Sequence, residues 1–114
     1  MTRPMILLVN GNSREDLTNR MAALARVKLG TMADIEPMTI TFAPQYVSNR
    51  TEAVKAATAI LDAVHARLTQ PNSPRPDAVM LACFGEPGLW ALRDSIQVPV
   101  TGMVEASVAA AMQL

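Results

Sequence analysis

Two unbroken apolar runs dominate the hydrophobic pattern of the chain. They span residues 5–9 and 78–82, and turn-forming residues follow each run, 10–13 after the first and 85–88 after the second. A short apolar run next to turn signals is typical of a strand buried on both faces of a parallel sheet. The pattern therefore predicts two central strands whose carboxyl ends lead into polar or glycine-rich turns.

Two further segments have strand character. Hydrophobic side chains alternate with threonines toward the end of residues 35–42, and residues 98–102 form a short apolar segment that ends in Gly102. Alternation with a period of two indicates a strand with one face more buried than the other. Four strands are therefore predicted along the chain.

Helical spacing fills the first interval between strands. Leu17, Met21 and Leu24 are four and three residues apart, which predicts a helix with one buried face. Ser13, with Asp16 three residues later, resembles a capping box at the start of that helix.

A longer helix is predicted after the second strand. Asn49 and Glu52 form its capping box, and its apolar residues are spaced three and four apart at Val54, Ala57, Leu61, Val64 and Leu68. Two shorter helices are expected at residues 89–96 and 104–114. The order βαβαβαβα predicts an α/β fold, with residues 1–114 forming a single flavodoxin-like lobe: a four-stranded parallel sheet with helices on both faces.

Composition narrows the class of protein. Half of the 114 residues are apolar, and ten Lys and Arg balance ten Asp and Glu, so neither nucleic acid nor an anionic membrane is an expected partner. The first apolar run is too short for a signal sequence or a membrane span. A single cysteine suits a reducing compartment, and the few Cys and His exclude a structural zinc site. We therefore expect a cytoplasmic protein without a metal.

Cys83 follows the second apolar run directly, at the carboxyl end of a predicted strand. Ligands of open α/β sheets bind at that edge, so the thiol lies where chemistry is usually done. A cysteine beside a buried strand is more often a small core residue, and both interpretations stay open. A dithiol motif is excluded by the single cysteine, and a phosphatase loop by Leu89, which stands where that loop needs arginine.

The turn after the first strand, Asn10-Gly11-Asn12-Ser13, also has two interpretations. It is either a turn with a helix cap or a site where side-chain amides, a hydroxyl and free backbone N–H groups bind an anionic or carbonyl oxygen. Tyr46 lies in a loop that leaves the carboxyl end of the next strand, so it is expected at the same edge. Glu105 begins the last helix, where a carboxylate is favourable or assists proton transfer.

These segments together resemble the aspartate/glutamate racemase superfamily, and within it the hydantoin and allantoin racemase branch. The most specific match is residues 77–88, which end in Ala-Cys-Phe-Gly-Glu-Pro-Gly, where Glu86 replaces the family's aspartate. Residues 6–13 resemble its opening strand and Asn-Pro-Asn-Ser/Thr motif, with Gly11 in place of proline. Residues 44–47 and 98–106 resemble the loop after its second strand and its Pro-Val-x-Gly-Ile-x-Glu-Ala segment.

The resemblance implies cofactor-independent proton transfer at a carbon next to a carbonyl. One cysteine thiolate removes the proton, and a second thiol returns one from the opposite side. Cys83 matches the first cysteine, and Glu105 matches a carboxylate that assists. The residues that the resemblance and the predicted edge place around a small-molecule substrate are Asn10, Asn12, Ser13, Tyr46, Phe84 and Gly85.

The resemblance covers only one of the two similar lobes that family members have, and the family's second cysteine lies in the other lobe. Two copies of this chain, paired through their Cys83 edges, would supply both thiols. A homo-oligomer is therefore expected. Three alternatives remain open: a truncated, inactive half-racemase; a one-cysteine enzyme that exchanges a proton on one face, decarboxylates or isomerises; and a module that binds a small ligand without turnover.

Overall fold

A computed structural model describes residues 2–114. Strands and helices alternate along the chain in the predicted order. They are β1 (Met5–Asn10), α1 (Glu15–Leu29), β2 (Asp34–Thr39), α2 (Arg50–Leu68), β3 (Ala78–Leu81), α3 (Leu89–Ser95), β4 (Val100–Gly102) and α4 (Met103–Met112).

The strands form one parallel sheet in the order β2-β1-β3-β4. β1 is central and pairs along its length with β2, from Met5 opposite Asp34 to Asn10 opposite Thr39. β3 pairs with β1 on the other side and with β4 at the far edge. This is the flavodoxin-like strand order, so the predicted fold class is confirmed.

Alternate residues of β1 enter two separate cores. Leu7 and Val9 lie in the larger core, which α2 and α3 cover. Leu8 lies in the smaller core on the opposite face, together with Ala22 of α1 and, at its margin, Met103 of α4. Helices therefore cover both faces of the sheet, which is why the apolar runs in β1 and β3 are continuous rather than alternating.

The start of α1 differs from the prediction. The N-cap residue is Arg14 rather than Ser13, and the Asn12 side-chain oxygen accepts a hydrogen bond from the Arg14 backbone N–H at 2.9 Å. Asp16 pairs with the Arg14 guanidinium, at 2.6 Å. The serine cap was wrong because an asparagine earlier in the turn closes the loop in an Asx-turn instead.

The buried faces of the first two helices also differ from the prediction. Leu24 is 70% exposed and Val54 is 68% exposed. The buried residues are Thr18 and Ala22 on α1, and Ala56, Ile60 and Val64 on α2. Hydrophobic spacing predicted both helices and placed Val64 correctly on the buried face of α2. It did not find Thr18 and Ala22 on α1, because one is polar and the other small. The predicted Asn49 cap of α2 is confirmed, with its side chain accepting the Glu52 N–H at 2.8 Å.

The second strand is shorter than predicted, and it ends at Thr39 rather than at residue 42. Ile40 is buried and starts a turn, in which its carbonyl accepts the Ala43 N–H at 3.0 Å. Phe42 is almost fully exposed. The alternation of residues 38–42 therefore continues past the point where strand pairing stops.

The last helix, α4, is apolar along most of its length, yet all ten of its residues are at least partly exposed. Its anchors to the rest of the fold are at its first turn, through Met103 and Glu105. Across residues 2–114, the structure has no helix with both the length and the apolar character needed to cross a membrane.

Candidate active site

A cleft of about 350 Å³ opens at the carboxyl ends of β1 and β3. The chain continues from β1 toward one side of the sheet and from β3 toward the other, so the cleft lies at the switch point where α/β folds of this order bind ligands. α1 and the start of α4 form its walls. Its lining residues are Asn10, Asn12, Leu17, Met21, Ala82, Cys83, Phe84 and Met103.

A larger groove of about 720 Å³ lies elsewhere, between α2 and the end of β2. Threonines and apolar side chains line most of it, together with Lys55 and Asp62. We assign the chemistry to the smaller cleft, because it contains the thiol and the side-chain amides and lies at the strand switch point.

Asn10 lies at the end of β1, and its side chain is fully buried. Its amide nitrogen is 3.0 Å from each of three oxygens, those of the Asn12 side chain, the Arg14 carbonyl and the Thr18 hydroxyl. Its side-chain oxygen accepts the Asn12 backbone N–H at 3.2 Å. The amide of Asn10 is therefore engaged in holding the β1–α1 loop, although the residue lines the cleft.

Asn12 is oriented by this network. Its side-chain oxygen faces the Arg14 backbone N–H at 2.9 Å, and a backbone N–H only donates, so the atom facing it must be the oxygen. The same oxygen accepts from Asn10. The NH₂ group of Asn12 has no hydrogen-bond partner within residues 2–114, and Asn12 is one of the residues that line the cleft.

Cys83 is half-buried and follows β3 after one further residue. The Ala82 N–H bonds to the Val9 carbonyl at 2.8 Å, and the Glu86 N–H bonds to the Cys83 carbonyl at 3.0 Å. Glu86 adopts a left-handed backbone conformation, with φ of 47°, which is uncommon outside glycine. The thiol is therefore carried on a tight turn that directly continues β3 and is hydrogen-bonded to β1.

Ser13 and Tyr46 lie in two loops that contact each other, and neither residue lines the cleft. The Ser13 N–H donates to the Pro44 carbonyl at 3.1 Å, which joins the first loop to the loop that carries Tyr46. The Arg14 guanidinium lies 5.5 Å from the centre of the Tyr46 ring, within cation–π range. Both predicted residues therefore lie in loops that follow the carboxyl ends of β1 and β2, and Tyr46 is 58% exposed.

Glu105 lies outside the cleft. Its carboxylate accepts from the Arg93 guanidinium and from the Gly102 N–H, the latter at 3.1 Å. The hydrogen bond from Arg93 and then that from Gly102 hold the pKa of Glu105 below its ordinary value. Glu86 accepts the Glu105 N–H at 3.1 Å. These contacts describe a helix cap and an ion pair at the start of α4, and no proton-transfer role is proposed for Glu105.

Phe84 lines the cleft but is 75% exposed, whereas Gly85 is exposed and lies outside it. Sequence reasoning missed four of the lining residues: Leu17, Met21, Ala82 and Met103. Apolar residues that line a cleft have the same spacing as residues that fill a core, so the pattern offered no signal. The structure also buries the polar residue Thr18 on α1, which the hydrophobic spacing of that helix did not indicate.

The fold and the site together define a flavodoxin-like α/β lobe with a single thiol at the strand switch point. A family model described as Asp/Glu/Hydantoin racemase matches residues 6–114. The chain therefore belongs to the Asp/Glu/hydantoin racemase family, and the predicted resemblance is confirmed.

A hydantoin racemase from Paenarthrobacter aurescens is 31% identical over 103 residues, which are 90% of this chain and 42% of that protein. The crystal structure of an allantoin racemase from Pseudomonas fluorescens superposes with a TM-score of 0.86 at 32% identity, over 96% of this chain and 45% of the other. The structure of an allantoin racemase from Klebsiella pneumoniae superposes with a TM-score of 0.88 at 26% identity, over 97% of this chain and 44% of the other. The chain thus spans less than half the length of each of these relatives.

Proposed function

We propose that this chain is a cofactor-independent racemase of 5-substituted hydantoins or allantoin-like compounds, in which Cys83 transfers the proton of the carbon next to a carbonyl. One observation carries the proposal. The Cys83 thiol and the free NH₂ group of Asn12 belong to the same uncharged cleft at the strand switch point. Membership of a family with hydantoin and allantoin racemases supports the substrate class.

The proposed reaction needs only proton exchange. The ring carbonyl oxygen accepts a hydrogen bond from Asn12, and the Cys83 thiolate removes the proton from the adjacent carbon. Negative charge moves onto the oxygen, where a placed donor stabilises it. A second thiol then delivers its proton to the opposite face, which leaves the first cysteine as a thiol and the second as a thiolate. In this protonation state the same two cysteines catalyse racemisation in the reverse direction, and no cofactor is required.

A second copy of this chain is the proposed source of the second thiol, because Cys83 is the only cysteine in the sequence. A twofold axis through the cleft would place two Cys83 side chains on opposite sides of one substrate. The exposed rings of Tyr46 and Phe84 beside the cleft support an interface at this edge, since aromatic residues are enriched in protein interfaces.

The lining of the cleft favours a neutral substrate. All eight lining residues are uncharged, and Leu17, Met21 and Met103 form an apolar wall. Removing an ionised carboxylate from water without an opposite charge is costly, whereas an uncharged hydantoin ring requires only hydrogen bonds. We therefore propose that free acidic amino acids are poor substrates for this cleft.

The test is deuterium exchange in D₂O, followed by proton NMR on enantiopure 5-benzylhydantoin, on allantoin and on glutamate. The expected result is Cys83-dependent uptake at the ring carbon of a hydantoin or of allantoin, and none with glutamate. Cys83→Ser is the control, because hydantoins exchange slowly without an enzyme. If uptake by the wild type equals that of Cys83→Ser, the catalytic proposal is wrong. Unchanged binding of 5-benzylhydantoin by Cys83→Ser would then indicate a binding module.

A further inference from the structure

We infer that Gly11 is a positioning residue that sets where the Cys83 thiol lies in the cleft. A side-chain carbon built on Gly11 would be 2.8 Å from the Cys83 Cβ and 3.0 Å from its Sγ. Ordinary contacts of such a carbon begin at 3.4 Å. In this chain, where Gly11 stands in place of the family's proline, Cys83 therefore occupies space that a side chain at position 11 would need. The inference rests on the proposed function of Cys83.

The need for glycine here comes from contact rather than from backbone conformation. The glycines with positive φ among residues 2–114 are Gly30 and Gly88, and Gly11 is not one of them. Alanine is thus compatible with the local backbone of Gly11, and the obstacle to it is the neighbouring cysteine. This is the close approach of two chain segments that glycine permits.

Cys83 has little freedom to withdraw from Gly11. Its neighbour Ala82 is hydrogen-bonded to Val9 at 2.8 Å, and its own carbonyl accepts from Glu86 at 3.0 Å. Pro87, which is buried, would be 3.6 Å from the added carbon. The atom nearest the added carbon is moreover the Cβ, which moves only with the backbone or with a change at Cα. A methyl group on residue 11 must therefore displace the thiol or strain the turn.

The contact has a consequence for the proposed reaction. Because Gly11 backs the sulfur on one side, the exposed part of the thiol faces the cleft, where the Asn12 NH₂ group is available. Proton transfer depends steeply on the distance and angle between the sulfur and the substrate carbon, and a displacement of about 1 Å reduces rates by about a hundredfold. The Gly11–Cys83 contact thus fixes the position of the sulfur, which is one of the two atoms that define this distance and angle.

The test compares Gly11→Ala with the wild type by two independent measurements. In the exchange assay we expect kcat to fall about tenfold or more while KM stays within about twofold, since the residues that bind the substrate are unchanged. Val64→Ala, in the larger core and remote from the cleft, is the control for general destabilisation, and its kcat should match the wild type. The second measurement is the alkylation of Cys83 by iodoacetamide, which requires no turnover. The added methyl covers part of the sulfur, so the rate should fall about threefold or more.

The outcomes separate this inference from the proposed function. If alkylation is slower in Gly11→Ala but even the wild type shows no exchange activity, the proposed function is refuted. The slower alkylation still supports the positioning of the thiol by Gly11. Wild-type kcat and alkylation in a folded Gly11→Ala protein overturn the inference. If Gly11→Ala does not fold, it is introduced into Cys83→Gly, which removes the clashing atoms. If the double variant with Gly11→Ala and Cys83→Gly folds, the contact is supported. If the double variant also does not fold, the contact is refuted.

Discussion

Replacing Asn10 with alanine should reduce the stability of the protein much more than replacing Asn12, although both asparagines line the cleft. Asn10 is buried, and its amide nitrogen faces three oxygens at 3.0 Å. The Arg14 carbonyl keeps another donor in the Thr18 N–H at 3.2 Å, so its loss is partly compensated. At about 1 kcal/mol net for each hydrogen bond, with a further term for the acceptors left buried, we expect Asn10→Ala to lower the unfolding free energy by about 2 to 3 kcal/mol.

Asn12→Ala is the matched control. Asn12 is half-buried and loses two accepted hydrogen bonds, so the expected loss of stability is about 1 kcal/mol. Its larger effect should be on affinity for 5-benzylhydantoin, because the free NH₂ group disappears. Urea denaturation followed by circular dichroism measures the stabilities, and titration calorimetry measures the affinity. An Asn10→Ala protein within about 0.5 kcal/mol of the wild type would refute the structural role assigned to Asn10.

Two further predictions concern the start of α4. Gly102→Ala should lower the free energy of unfolding by about 1 to 2 kcal/mol, because the added carbon overlaps the Glu86 carboxylate that caps the helix. In urea denaturation this loss should largely disappear when Glu86→Ala is already present. If the effects of the two substitutions simply add, the contact is contradicted. Glu105→Gln should destabilise the protein at neutral pH. The Arg93 hydrogen bond lowers the folded-state pKa of Glu105 from its ordinary 4.5, so its stabilisation is present above 4.5 and disappears as pH falls through the folded value. Thermal unfolding should therefore show the difference between the two proteins narrowing below pH 4.5, and a constant difference would argue against the ion pair.

The fold was predictable because each level of the sequence agrees with the others. Continuous apolar runs occur where helices cover both faces of the sheet, and turn residues follow the central strands at the edge where the cleft opens. The Asn49 cap formed as predicted, whereas the predicted Ser13 cap is replaced by the hydrogen bond from the Arg14 N–H to the Asn12 side chain. The errors came from tertiary choices, such as the burial of Thr18 rather than Leu24 on α1.

The candidate site was predictable in part, for a physical reason. Strand order brings Asn10, Asn12 and Cys83 together, and the turn residues after the two apolar runs indicated where those strands end. What each side chain does depends on distances that the sequence does not contain. Asn10 proved to be engaged within its loop, and Glu105 is paired with Arg93 at the start of α4.

The central proposal is that two Cys83 thiols act on one substrate. It is tested most directly by measuring deuterium uptake and optical rotation of enantiopure 5-benzylhydantoin in the same tube, over a series of protein dilutions. We expect rotation to be lost as deuterium enters, and the activity per chain to fall as the protein is diluted below the dissociation constant of the proposed dimer. Cys83-dependent uptake with retained rotation would mean that one base acts on one face. Loss of rotation with activity per chain independent of concentration, in a protein that sediments as a monomer, would contradict the shared site.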